Sequence, residues 1–373
     1  MKESTGHQLS KVAIIGIAGV PAAYGGFETL IDELVKHAER VGLAFAFTVY
    51  CSGRTPEGEI GYRGAHRHFI NIPANGISSV VYDVFSLIHA VCRGHRTLLV
   101  LGVSGAPLFP FLRLIPGIRL ITNVDGIEWK RAKWSGLAKF YLRVSEWIAV
   151  KFSNAVIADN EGIRIYIKQT YGRDSEVITY GGDHALRGEV VEVATDLPAT
   201  YAFSLCRIEP ENNVHMILEG FSQSKSLPLV FVGNWQASEY GRRLWNQYQN
   251  HDNIHLLGPT YDEDVLYTLR RNAVVYLHGH SAGGTNPSLV EMMHFGIPIL
   301  AFDCVFNRYT TFEQAMYFSS ASGLSLLLGD LSDKDDNSVD GFGGNSAQMM
   351  SDIAKDHYVW NTVGDAYLAL LDL

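Results

Sequence analysis

Only four cysteines occur in 373 residues, and Cys51, Cys92, Cys206 and Cys304 stand far apart with no paired spacing. Each lies beside strand-like sequence, so reduced core thiols are expected, which excludes a disulfide scaffold and a thiolate zinc site. Long apolar runs are also missing. The longest candidate, "LLVLGVSGAPLFPFLRLIPGIRLI" (98–121), is broken by Gly, Pro and Arg well short of the roughly 20 residues that a spanning helix needs. The first ten residues, "MKESTGHQLS", have neither the apolar core of a signal peptide nor the amphipathic pattern of a transit sequence, so a cytoplasmic protein is expected. The dinucleotide fingerprint GxGxxG is absent, because the glycines of the first loop fall at Gly16, Gly19, Gly25 and Gly26, and hydride transfer is therefore poorly supported. No DxD-type pair ends a strand, so neither a metal nor an organic cofactor is expected. No basic stripe or recognised module points to nucleic acid.

What is present is an uneven distribution of charge. The net charge of −9 divides into +4 for residues 1–183 and −13 for residues 184–373. In the first half, "EWKRAKWSGLAKFYLR" (128–143) mixes basic and aromatic residues, among them Trp129, Lys130, Arg131, Lys133 and Trp134. Such a segment suits either an anionic lipid surface or a solvated helix face.

Strand and helix signals alternate along the chain. Short apolar, β-branched runs recur at 11–17, 44–50, 96–102, 118–124, 154–159 and 175–180, with helical spacing at 27–41 and 136–152 between them. After the irregular stretch 181–200 the pattern restarts, with strands at 201–206, 227–233, 253–258, 273–279 and 297–303 and helices at 213–224 and 262–272. Two doubly wound parallel α/β sheets meeting near residue 182 are expected. An acidic, glycine-rich loop (328–345) precedes a last helical segment, 353–373.

Parallel sheets bind ligands beyond the carboxyl ends of their strands. In the second half, "AVVYLHGHSAGGTNPSLVEMMHF" places His280, Gly283, Gly284, Thr285 and Asn286 in such a position, directly before a helix. Pro287 suits the first helical position and Asn286 the N-cap. The helix amides, left open by the two glycines, suit a phosphate or diphosphate, joined by Ser288 in the first turn. Glu291, one turn further on, can accept bonds from the two hydroxyls of a ribose. A nucleoside diphosphate satisfies both, although Gly, Asn and Pro also mark ordinary turns. In the first half, Gly25 and Gly26 precede a helix with Glu28 in its first turn and allow a ligand to approach closely. "NVDGIEW" sets Asp125 and Glu128 beyond a strand end, as groups to orient or deprotonate an acceptor hydroxyl or as a capped turn.

The segments "AGVPAAYGGFETLIDEL", "TNVDGIEWKRAKW", "CRIEPENNVHMILEGF", "GGTNPSLVEMMHFGIPILAFD" and "FNRYTT" resemble the rhamnosyltransferase-type branch of glycosyltransferase family 4, over nearly the whole chain. The resemblance implies the GT-B fold, two Rossmann-like domains facing a cleft, and retention of anomeric configuration. It implies an acceptor-side domain over 1–182, a nucleotide-sugar domain over 183–352, and a terminal helix over 353–373 that packs back on the first domain. It assigns Glu291 to the nucleotide ribose, Gly284, Thr285 and Asn286 to the donor's sugar and diphosphate, and Arg207 to neutralising that diphosphate. Two positions depart from the family's general pattern: Asn212 stands where a lysine is usual and Gly283 where a glutamate is usual. His280 or Asn286 is then expected to bind the donor sugar in place of that glutamate.

The expected activity is transfer of a 6-deoxyhexose, L-rhamnose from dTDP-rhamnose, to a lipid-linked saccharide during assembly of a bacterial cell-surface polysaccharide. The enzyme would touch the cytoplasmic face of the inner membrane peripherally. Other readings of the same residues are a transferase of another nucleotide hexose, a sugar-nucleotide epimerase of the same architecture, and a non-catalytic sugar-nucleotide sensor.

Overall fold

The computed structural model describes residues 11–22, 25–55, 60–131, 134–187, 197–224, 226–332 and 344–373. The polar first ten residues, Lys133 and most of the acidic loop 328–345 lie outside the described residues. Those described form two compact units. Unit 1 takes the chain up to Lys130, Trp134–Thr179 and Trp360–Leu373; unit 2 takes Arg131 and Tyr180–Val359.

Unit 1 runs β1 (Val12–Ile15), α1 (Gly26–Arg40), β2 (Phe47–Ser52), β3 (Gly61–Tyr62), β4 (Ala65–Ile70), α2 (Ser78–Cys92) and β5 (Thr97–Leu101). It continues with α3 (Phe109–Leu112), β6 (Arg119–Asn123), α4 (Gly136–Phe152), β7 (Ala155–Ala158), α5 (Glu161–Tyr171) and β8 (Glu176–Val177). The strand order is β3-β4-β2-β1-β5-β6-β7-β8, parallel except for the β3–β4 hairpin. β1 and β5 are buried along their whole length, as strands covered on both faces must be, and this explains their unbroken apolar sequence. Right-handed crossovers place α1 on one face of the sheet and α2, α3 and α4 on the other.

Unit 2 runs β9 (Tyr201–Leu205), α6 (Val214–Gln223), β10 (Leu229–Val232), α7 (Glu239–Tyr248), β11 (Ile254–Leu257), α8 (Glu263–Arg271) and β12 (Ala273–His278). There follow α9 (Pro287–His294), β13 (Ile299–Phe302), α10 (Val305–Thr310), β14 (Met316–Phe318), α11 (Ala321–Ser332) and α12 (Gly344–His357), while α13 (Trp360–Leu371) belongs to unit 1. Its six parallel strands are ordered β11-β10-β9-β12-β13-β14. Phe221, Phe231, Trp235, Leu277 and Leu300 are buried in its core.

The architecture is thus α/β with two parallel-sheet units. Three strands escape the apolar pattern. β3 and β4 lie at a sheet edge, where "AHRHFI" is only partly buried and needs no apolar run, and β14 is a three-residue edge strand. Cys92 is exposed, which corrects its assignment to the core; Cys51 is buried, and all four thiols are free.

The segment 353–373 is two helices rather than one. Residues 353–357 end α12, which packs on α9, and α13 packs on α1. The break has a clear cause: the Tyr358 carbonyl accepts from the Gly182 amide (2.8 Å) and bonds His294 Nε2 (2.9 Å), which draws it out of helical register. In unit 1, Gly364 packs directly against the His37 ring, whose Nε2 lies 2.8 Å from Asp365 Oδ1.

Candidate functional site

In unit 2 the chain winds outward from β9 through β10 to β11 and then returns to place β12 on the other side of β9. The reversal opens a crevice beyond the carboxyl ends of β9 and β12, the usual ligand position in a doubly wound sheet. Two loops meet there. Asn213 Nδ2 donates to the Gly279 carbonyl (2.9 Å), and the Ser281 amide and hydroxyl both donate to the Glu211 carbonyl (2.9 and 2.8 Å). Gly279 permits this approach, since a Cβ there would strike the Asn212 carbonyl.

The structure therefore brings Arg207 and His280 to neighbouring loops. Arg207 is half-exposed, and its Nη1 lies 3.9 Å from Glu209 Oε1, too long for a tight pair. Asn212 is buried and donates to the Arg207 carbonyl (2.7 Å). It shapes the loop that carries the arginine and supplies no second positive charge.

His280 stacks on His278, ring centroids 4.3 Å apart and 13° from parallel. Both nitrogens of His278 and Nδ1 of His280 are buried without a partner. Burial pushes the His278 pKa down to about 3, and burial together with the neighbouring His278 and Arg207 holds His280 well below the usual imidazole range. His280 is thus a neutral donor or acceptor near neutral pH, not a cation for a diphosphate. Its carbonyl accepts from Asn307 Nδ2 (2.9 Å).

Gly283, Gly284 and Thr285 are buried in the turn before α9. Gly283 has φ +109°, a conformation that side chains disfavour. Asn286 occupies the N-cap with Pro287 behind it, but its side chain makes no capping hydrogen bond, which corrects that part of the expectation. Its amide and Ser288, second in the helix, are polar groups at the helix start. Gly182 packs against the backbone of α9, where an added Cβ would lie 2.6 Å from the Val290 carbonyl oxygen.

Glu291 is buried and ion-paired. Arg270 of α8 bonds Oε2, and His184 Nε2 lies 3.4 Å from Oε1. Burial raises the Glu291 pKa, but Arg270 and His184 outweigh it and the net shift is downward, so the carboxylate is charged. Neither partner was legible in the sequence. Arg270 sits in "TLRRN", which reads as ordinary basic residues at a helix end, and His184 lies in the irregular 181–200 stretch.

The remaining candidates belong to unit 1. Gly25 is the N-cap of α1 with φ +119°, and Gly26 is the first helical residue. A Cβ on Gly25 would strike the Glu28 carboxylate, whose Oε1 accepts from the Ala18 amide (2.8 Å). Loop closure by Glu28 therefore already requires a glycine there. Asp125 has φ +62° and its amide donates to Asn123 Oδ1 (3.0 Å); Glu128 Oε1 accepts from Trp134 Nε1 (3.0 Å). Trp129 and Trp134 are only partly exposed. Lys130 and Arg143 lie over the Trp129 ring at 5.6 and 5.3 Å, so these tryptophans are taken up in local contacts. Among the described residues there is no His, Cys, Asp or Glu cluster fit to hold a metal ion.

Comparison with known proteins gives these features a context. Residues 9–183 match the family described as "Domain of unknown function (DUF1972)", and residues 192–313 match Glycosyl transferases group 1. No curated protein matches the chain. Among solved structures, the fold is similar to that of the sucrose-phosphate synthase of Thermosynechococcus elongatus (TM-score 0.77, 14% identity, 97% of this chain and 98% of that one). It is also similar to Anabaena HepE in complex with UDP-glucose (0.70, 13%, 97% and 98%). A third likeness is to the catalytic domain of starch synthase IV of Arabidopsis thaliana bound to ADP and acarbose (0.68, 14%, 98% and 99%). The two parallel-sheet units share the fold of these structures, and Arg207, His280 and Glu291 fall within residues 192–313, the stretch that matches Glycosyl transferases group 1.

Proposed function

We propose that the protein is a retaining glycosyltransferase that moves L-rhamnose from dTDP-rhamnose to a sugar of a lipid-linked acceptor, in the synthesis of a bacterial surface polysaccharide. The observation that carries the transferase reading is the group 1 domain, with Arg207, His280 and the start of α9 set beyond the carboxyl ends of β9 and β12. The choice of rhamnose rests on the family resemblance of the sequence.

In this reading the ionised Glu291 binds the ribose hydroxyls, while the turn from Gly283 to Ser288 and the Arg207 guanidinium hold the diphosphate. The bond between the sugar's anomeric carbon and the diphosphate breaks as the acceptor oxygen bonds that carbon on the same face, and the acceptor proton passes to a leaving phosphate oxygen. Arg207 offers its fork of donors where negative charge grows. Gly283 has no side chain with which to hold the donor sugar, and neutral His280 and Asn286 hold it instead. Asp125 or Glu128 orients the acceptor hydroxyl. The protein works at the cytoplasmic face of the membrane.

A panel of nucleotide sugars is screened for thermal stabilisation, since a ligand of the native state raises Tm. The best ligand is then incubated with and without a saccharide acceptor. Stabilisation by dTDP-rhamnose and a glycosylated product only with acceptor are expected. Conversion of the donor without acceptor would replace transfer with epimerisation, and binding without turnover would leave a sensor. A second donor reading comes from the HepE complex, which contains UDP-glucose; stabilisation by UDP-glucose in place of dTDP-rhamnose would establish it.

A further inference from the structure

The apolar side chains that unit 1 leaves exposed are concentrated on one side of its sheet. On α4, Leu137, Phe140, Val144 and Trp147 follow a spacing of three and four, which aligns them along one stripe, and Leu137 and Phe140 are 85% and 69% exposed. α3 and the turn after it add Phe111 and Leu114, and α2 with its N-cap adds Ile77, Val81 and Phe85, again at intervals of four.

These helices adjoin one another. Ser104, in the loop beyond β5, donates its hydroxyl to Asp83 of α2, and its carbonyl accepts from the Tyr141 hydroxyl of α4 (2.6 Å). Gly105 lies against Asp83 and Leu87 of α2, and α3 packs on α4.

The exposed charges of α2, α3, α4 and the loops beside them are of one sign. Residues 76–118 and 135–154 contain two acids, Asp83 and Glu146, and both are buried. Glu146 accepts the Tyr166 hydroxyl (2.6 Å) and the Tyr171 hydroxyl (2.5 Å). The exposed charged residues on and beside the helices, Arg93, Arg96, Arg113, Arg143 and Lys151, are all basic. The Lys151 ammonium lies 4.9 Å from the centre of the Trp147 ring, so its stem runs along the apolar stripe while its head stays at the rim. Apolar residues inside a basic border form the pattern of an element lying in a membrane interface, and no helix among the described residues is long and apolar enough to cross one.

We propose that the outward side of α2, α3 and α4 seats unit 1 on an anionic lipid bilayer, with Leu137, Phe140 and Trp147 inserted at the headgroup boundary; this rests on the lipid-linked acceptor reading and specifies its docking surface. The apolar stripe gives insertion, and the basic rim selects the anionic lipid. The contact lies one helix beyond the Trp129 and Trp134 pair that the sequence suggests.

The test is co-sedimentation of the full chain with acceptor-free vesicles, either phosphatidylcholine alone or phosphatidylcholine with phosphatidylglycerol. The wild type should bind the anionic vesicles preferentially. Leu137→Ser with Phe140→Ser should weaken binding on the order of a hundredfold, roughly tenfold for each large apolar side chain withdrawn. Arg143→Glu with Lys151→Glu should remove the preference for phosphatidylglycerol. Unchanged Tm and nucleotide-sugar affinity establish that each variant is folded. Equal vesicle binding by wild type and the Leu137/Phe140 variant would overturn the proposal. So would a wild-type dimer in sedimentation equilibrium that the same variant dissociates while vesicle binding persists, which would assign the face to a second copy. Because the vesicles carry no acceptor, failure here is distinct from failure of the acceptor reading, which would appear as turnover on water-soluble saccharides alone.

Discussion

Arg270 of α8 and Glu291 of α9 form a buried ion pair in unit 2. The pair fixes a negative charge at the carboxylate proposed for the nucleotide. Removing one partner leaves the other charge buried alone, so Arg270→Met should cost about 3–5 kcal/mol of stability. Arg270→Met with Glu291→Gln should recover much of that loss, and urea denaturation of the wild type and the two variants measures it. Since the folded pKa of Glu291 lies below its ordinary value, its contribution is present above the unfolded pKa and is lost as pH falls through the folded one. Single and double variants of equal stability would show that the pair is not coupled.

Arg207 stands half-exposed, with Glu209 at 3.9 Å. Arg207→Lys keeps a positive charge but loses the planar fork, so kcat should fall roughly tenfold or more while donor affinity changes little. Steady-state kinetics with calorimetry separate the two effects. Equal losses in both would limit Arg207 to ground-state binding.

His278 gives a pH signature. Its folded pKa, about 3, lies below that of the unfolded chain. The stability it permits is complete above the unfolded value and is lost as pH falls toward the folded one, at up to about 1.4 kcal/mol per pH unit. His278→Phe keeps a ring against His280 and forfeits no hydrogen bond, because both nitrogens lack partners. Denaturation at a series of pH values should show a flatter acid limb in the variant. Parallel limbs would mean that His278 is already protonated in the native state.

Gly182 and α9 make a close backbone contact. Gly182→Ala would bring a methyl group to 2.6 Å from the Val290 carbonyl oxygen, so the helix must shift, at about 1–3 kcal/mol. Nucleotide-sugar affinity should fall with it, as calorimetry would record. Undiminished affinity would mean that the position of α9 does not govern donor binding.

The alternation of apolar runs made both sheets legible because their central strands are buried on both faces, as at β1, β5, β9 and β12. Where a strand lies at an edge the signal vanishes: "AHRHFI" carries two histidines and an arginine and still forms β4. The turn before α9 was legible from its glycines and proline, which mark local backbone requirements. The partners of Glu291 were not, since Arg270 and His184 come from separate parts of the chain and only tertiary packing joins them. In the same way the exposure of Leu137 and Phe140 follows from what fails to cover α4. Their spacing in the sequence is that of a buried helix face.

Unit 1 is assembled from both ends of this sequence. The Tyr367 hydroxyl of α13 accepts from Asn123 Nδ2 (2.9 Å), and Oδ1 of the same side chain accepts from the Asp125 backbone amide (3.0 Å). The loop proposed to meet the acceptor is therefore braced by a helix that emerges from the ribosome only after all of unit 2. During synthesis the first sheet is made early but unit 1 is completed late, with the α1 surface around His37 uncovered until α13 arrives. Unit 2, proposed to bind the nucleotide sugar, is synthesised in full before α13, so the loop proposed to orient the acceptor is the last to be braced.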